Sequence, residues 1–303
     1  MYDFISYVNE KSKISALVHN ITTTYWTFEF VPFLIGRIIE PMSDPPPTRE
    51  ELEGNEPFHM ASIAYGTHMS DTEILDWMGH AEMLYRENML NNDHVVTHFL
   101  TTKEENGDIW FGIRGLDVRS FTSIGAVGCP YYQSVDEFGL QGKVITSFIP
   151  ALFDNPVFHE TVETSDSKNA YVCGHSMGAC MAIITGAYIA RKRPDVRVKV
   201  YAFAPLMFYD EEFRNCVMNI ENLELVCCLD ENDVIVKLYN VMRITDKNKF
   251  KDFDITELSI PFVDSSNSIR DMVPVRDLSV FDVTNPFDYV RHGLWSYGNW
   301  TSK

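Results

Sequence analysis

The stretch Ala170-Tyr171-Val172-Cys173-Gly174-His175-Ser176-Met177-Gly178, running on through Ala179 to Ala190, decides the fold. Ala170 to Cys173 is a short apolar, partly β-branched run that reads as a buried parallel strand. Gly178 to Ala190 carries apolar and small residues at every helical spacing; Arg191, Lys192 and Arg193 follow where cations suit a helix C-terminus, and Pro194 stops the helix. Between them lies Gly-x-Ser-x-Gly, a pattern that about one unrelated chain in ten of this length would contain by chance. Its place between strand and helix raises its value. A serine in so tight a turn takes a strained backbone and needs neighbours without bulk two positions either side, which Gly174 and Gly178 supply. The helix start also aims backbone N–H groups at any negative charge that develops beside Ser176. Ser176 is therefore the candidate nucleophile.

Working outward, strands and helices alternate. His94 to Thr101 and Ile109 to Ile113 read as strands joined by Glu104-Glu105-Asn106-Gly107-Asp108, in which Asn-Gly signals a hairpin. Lys143 to Leu152 reads as helical, Val196 to Ala204 as a strand, and Leu223 to Leu229 as the next. Before them, Pro41 to Pro57 reads as an acidic, proline-rich surface connection, and Ser70-Asp71-Thr72-Glu73 as a capping box opening a helix through Leu84. The expected fold is α/β: a mostly parallel central sheet flanked by helices, with an N-terminal helical extension over residues 1–90. The 303 residues, 45% of them hydrophobic, suit one large domain spanning 1–303.

Charge and cysteine content exclude other classes. A net charge of −18 and the lack of a basic stripe argue against a nucleic acid partner and oppose docking on strongly anionic membranes. The six cysteines, among them Cys173, Cys180, Cys227 and Cys228 in expected core elements, read as small buried hydrophobes and not as a metal site or disulfide framework. Met1 to Ser6 has an early acid and no basic start, unlike a secretory signal. The apolar run Phe28 to Ile39 is too short to span a bilayer and contains Glu29, Pro32 and Arg37. A soluble chain without a transmembrane segment is expected, either intracellular or one from which a signal has been removed; of these the cytoplasm is favoured.

A serine hydroxyl needs a general base and an acid to orient that base. Active sites on parallel sheets lie beyond the carboxyl ends of the strands, where both Ser176 and Asp233 fall. Asp230 and Glu231 compete with Asp233, which is preferred because it directly precedes the apolar Val234-Ile235-Val236. Of nine histidines, His175 should point away from its neighbour, His94 and His98 look structural, and His159 precedes the serine, against the order serine, acid, histidine of α/β-hydrolases. His19, His59, His68 and His80 fall in the N-terminal portion. His292, in Tyr289-Val290-Arg291-His292-Gly293-Leu294-Trp295, remains as the base.

Several blocks in one order then resemble the class 3 lipase family, the fungal-lipase branch of the α/β-hydrolase fold. They are Ile109 to Gly115, like the family's Phe-Arg-Gly strand; Lys143 to Phe148, like its next helix start; the Gly-His-Ser-x-Gly elbow; Val200 to Pro205, like its Thr-Phe-Gly-x-Pro strand; Asn232-Asp233-Val234; and His292. The likeness covers about residues 61–296. It implies a serine hydrolase that cleaves carboxylic esters of acyl lipids through Ser176, Asp233 and His292, with no metal or organic cofactor. It further implies an oxyanion hole from the backbone N–H groups of Met177 and Leu116. Relatives usually carry Ser, Thr or Asp where Leu116 stands, and here the nearest acid is Asp117. Residues 118–132, apolar with Gly125 and Gly128, occupy the place of the family's lid and would meet a lipid interface transiently. A phospholipase, a short-chain esterase or a lipase-like scaffold without turnover are the alternatives.

Overall fold

The structure is a computed structural model. It describes residues 56–64, 70–91, 95–103, 107–115, 132–229, 233, 236, 261–263 and 269–271. Two short helices come first, α1 (Glu56–Ile63) and α2 (Asp71–Met78). Then follow β1 (Glu82–Asn91), β2 (Val95–Lys103), β3 (Ile109–Ile113), the short β4 (Tyr132–Ser134) and β5 (Lys143–Ile145). Beyond them the order is α3 (Pro156–Thr164), β6 (Asn169–His175), α4 (Met177–Lys192) and β7 (Arg197–Phe203). The described chain closes with α5 (Glu211–Met218), β8 (Leu223–Cys228), β9 (Pro261–Val263) and β10 (Ile269–Asp271).

Among the described residues, eight strands form one sheet in the order β1-β2-β3-β6-β7-β8-β9-β10, while β4 and β5 pair apart. From β3 to β9 every neighbour pair is parallel, whereas the marginal pairs β1–β2, β2–β3 and β9–β10 are antiparallel. The central strands β6 and β7 are buried over most of their length, because helices cover both faces and leave no face for polar residues. On one face α4 lies against β6 and β7, and all its residues from Met177 to Ala190 are buried. On the other, α1 crosses β3 so closely that a Cβ at Gly112 would stand 2.9 Å from the Met60 carbonyl oxygen. Phe58 of α1 meets Phe203 of β7 edge-on.

Two expectations fail for local reasons. The helix begun by the Ser70–Glu73 capping box stops at Met78 instead of Leu84, because Gly79 takes φ 67° and its N–H turns back to the Leu75 carbonyl. Residues beyond it join β1, which pairs antiparallel with β2 from Glu82↔Lys103 to Asn91↔Val95. The helical extension over 1–90 is therefore corrected at its end: Met83, Leu84 and Met89 favour helix intrinsically, and strand pairing overrides that preference. Residues 1–55 lie outside the described part.

The second concerns Lys143 to Leu152, which is not a helix. It holds β5 and then two single 3₁₀ turns, Thr146–Phe148 and Ala151–Asp154, with Pro150 between them. Val144 and Ile145 suit the pairing with β4, and Pro150 lacks the N–H a helix would use. The helix of this region is α3, where Asn155 caps the Val157 N–H and Pro156 opens the first turn.

Candidate active site

β6 ends at His175, α4 begins at Met177, and Ser176 alone makes the turn between them, with φ 58° and ψ −122°. This is a region that non-glycine residues avoid, held here by hydrogen bonds on both sides. The Ser176 N–H donates to the Phe203 carbonyl of β7 at 2.8 Å. Its carbonyl accepts the Ala179 N–H at 3.0 Å and the Cys180 N–H at 3.3 Å. Both flanking glycines are sterically required. A Cβ at Gly174 would lie 2.2 Å from the Gly178 carbonyl oxygen, and one at Gly178 would lie 2.4 Å from that of Ile113. The turn thus brings the first turn of α4 against the end of β3. Ser176 is half-buried, whereas Met177 behind it is 1% exposed. As the first helical residue, Met177 belongs to the set whose N–H groups have no partner within the helix, at the positive end of the helix dipole.

Asp233 lies five residues past the end of β8, which is separated from β6 by β7 alone. It is fully buried, and its Oδ1 accepts the Val236 N–H at 3.1 Å. A buried carboxylate tied to the backbone is a fixed acceptor. Asp230 and Glu231, its competitors, lie outside the described residues, as do His292, Leu116 and residues 118–131. Arg114 and Gly115, which lead to Leu116, are buried at the end of β3.

Other groups available for chemistry are engaged elsewhere. His159 has both ring nitrogens occupied: Nε2–H donates to the Phe153 carbonyl and Nδ1 accepts from the Tyr188 hydroxyl, each at 2.7 Å. His80 is buried and bonded to the Thr102 hydroxyl, His175 is 2% exposed, and burial of His59 lowers its pKa from 6.5 to about 4. Cys173, Cys180, Cys216, Cys227 and Cys228 are buried free thiols. Burial pushes the Cys227 thiol up to about 12 and also raises Cys173 and Cys228, so these three stay protonated and poorly nucleophilic. Among the described residues no cluster of His, Cys, Asp and Glu could hold a metal ion. No helix among them is long and apolar enough to cross a membrane.

A surface hollow of about 350 Å³, lined by Arg191, Glu211, Asn215 and Cys216 among others, opens at the far end of α4. Fifteen helical positions separate Arg191 from Ser176, about 22 Å along the axis. The hollow therefore has no part in chemistry at the serine. One feature of the turn escaped the sequence reading: Ala204, at the end of β7, has φ 53°. No glycine marks the position, so the residue types gave no signal of it.

A mostly parallel sheet, a serine turn at the end of a central strand and a buried acid beyond a later strand define an α/β-hydrolase-type fold. The lipase II of Rhizopus niveus is similar to it at 13% identity, over 80% of this chain and 94% of that one, with a TM-score of 0.54. The Rhizomucor miehei lipase in its propeptide complex is similar at 14% identity, over 85% and 83%, with a TM-score of 0.54. A triacylglycerol lipase whose catalytic centre is described as a serine protease triad is similar at 15% identity, over 80% and 94%, with a TM-score of 0.53. At such identities the likeness establishes the fold. No curated protein sequence matches the chain. Residues 111–242, less than half of the chain, match the model of the family Lipase (class 3), a match that supports a carboxylic ester hydrolase.

Proposed function

We propose that this protein hydrolyses carboxylic esters of acyl lipids through Ser176, His292 and Asp233. Ser176 Oγ attacks the ester carbonyl while His292 takes its proton, and Asp233 orients the imidazole and stabilises its charged form. The N–H groups of Met177 and Leu116 receive the oxyanion, a contribution of a few kcal/mol to the transition state. His292 then returns the proton to the leaving alcohol, the acyl-enzyme forms, and a water deprotonated by His292 releases the acid.

The observation that carries this reading is the Ser176 turn, with Gly178 pressed against the Ile113 and Arg114 backbone. At most about 7 Å of extended chain separates Arg114 from Leu116, so an N–H donor at Leu116 is within reach of the elbow. The buried, backbone-bonded Asp233 supports the acid role. Residues 118–132 are the segment we assign to a lid whose apolar side meets the lipid.

The test is a series of acyl esters of increasing chain length, assayed below and above their solubility limits with the wild-type protein and Ser176→Ala. The expected result is hydrolysis that rises sharply once an interface forms and is lost in the variant. A well-folded wild-type protein that hydrolyses no ester of the series would contradict the proposal and favour a scaffold role. Cleavage without the rise at the interface would contradict the lid assignment alone.

A further inference from the structure

Among the described residues, Ser176 and Ala204 are the non-glycine residues with positive φ, at 58° and 53°. They stand at the carboxyl ends of the adjacent parallel strands β6 and β7, and a single peptide unit joins them. The Phe203 carbonyl accepts the Ser176 N–H, and the N–H of the same peptide, that of Ala204, donates to the Cys228 carbonyl at the end of β8, both at 2.8 Å. The plane of the peptide between Phe203 and Ala204 therefore spans from the serine turn to β8. Turning it over would break both bonds at once.

The chain beyond Ala204 is drawn inward. Leu206, Met207, Phe208 and Tyr209 are all buried. The Leu206 N–H meets the Cys180 sulfur at 3.2 Å, and the Phe208 carbonyl accepts the Ile145 N–H at 2.8 Å. Cys180 sits on the first turn of α4, the helix that Ser176 opens. The segment thus grips the helix start at two points, the Ser176 N–H and the Cys180 sulfur. Glycine would take a positive φ without strain, yet it would also let the peptide sample other orientations. Alanine, followed by Pro205, leaves few.

We propose that Ala204 is a positioning residue for Ser176: its Cβ and the following Pro205 narrow the orientations open to the peptide whose carbonyl accepts the serine N–H, and so help fix the direction of Oγ. Its kinetic consequence rests on the proposed serine hydrolase activity; its structural content does not. The test compares wild type with Ala204→Gly, which accepts the same backbone and folds, and with the conservative Ala204→Ser, which retains a Cβ. In Ala204→Gly the melting temperature stays at or above that of wild type, while kcat falls about fivefold or more with KM within about twofold. Deuterium exchange of the peptide covering residues 174–178, followed by mass spectrometry, speeds up about tenfold. Ala204→Ser restores both to near wild-type values. Wild-type exchange in Ala204→Gly would overturn the proposal, and so would an unchanged kcat. If the wild-type protein cleaves no ester, the hydrolase reading fails, and the exchange comparison alone still decides whether Ala204 positions the turn.

Discussion

Gly178, two residues into the turn's helix, has no room for a side chain: the missing Cβ would sit 2.4 Å from the Ile113 carbonyl oxygen and 2.7 Å from the Arg114 carbonyl. The obstacle is backbone, which cannot swing aside. Gly178→Ala is expected to cost about 3 kcal/mol, because the start of α4 must lift from β3. Gly139 separates the causes, since it has φ 73° and open space where a Cβ would go. Gly139→Ala should cost about 1 kcal/mol from backbone strain alone. Urea unfolding of both variants measures the difference, and equal costs would show that the contact with β3 is looser than described.

The buried carboxylate of Asp233 holds the Val236 N–H through Oδ1. Asparagine keeps that acceptor and the side-chain volume while removing the charge. Asp233→Asn should therefore fold, yet lose kcat by about 10³- to 10⁴-fold, the scale seen when a triad acid becomes an amide. Steady-state kinetics on a soluble ester, with circular dichroism as the control on folding, checks this.

His59 gives the fold a pH dependence. Burial lowers its pKa from 6.5 to about 4. Below pH 6.5 the unfolded chain binds a proton that the folded protein refuses until about pH 4, so stability falls across that window as pH drops. The loss amounts to about 3 kcal/mol at its lower end. In His59→Gln the slope of unfolding free energy between those pH values should flatten, whatever the variant's absolute stability. An unchanged slope would mean that His59 is not the group responsible.

Asn222 joins the end of α4 to β8. Its Nδ2 lies within 3.1 Å of the Ala190, Arg193 and Val196 carbonyl oxygens. An amide nitrogen has only two hydrogens, so one is shared. Asn222→Ala should cost about 1 to 3 kcal/mol in thermal unfolding. Asn222→Asp should cost more, because it replaces the donor with a negative charge facing carbonyl oxygens. A smaller loss in the aspartate variant would refute the role of donor.

Where the sequence was readable, the reason was chemical specificity at short range. Gly174, Ser176 and Gly178 mark a turn that few residue types can make, and the structure shows the contacts that forbid larger ones. The short apolar runs of β6 and β7 announce strands buried over most of their length. Asn106-Gly107 announces the hairpin, and Gly107 does take φ 85°. Reading failed where partners distant in sequence decide. Glu82 to Asn91 favours helix by composition but is held as a strand by Val95 to Lys103. Lys143 to Ile145 pairs with Tyr132 to Ser134, and the Ile145 N–H donates to the Phe208 carbonyl. Ala204 was invisible for a similar reason, since an alanine discloses a positive φ only once its hydrogen-bond partners are in place.

The central claim is that Ser176 is the nucleophile, and active-site labelling tests it most directly. The folded protein is treated with a fluorophosphonate and digested, and the modified peptide is sequenced by mass spectrometry. The account predicts one adduct per chain on Ser176 and none in an equally well-folded Ser176→Ala variant. Labelling that persists undiminished in Ser176→Ala would contradict it.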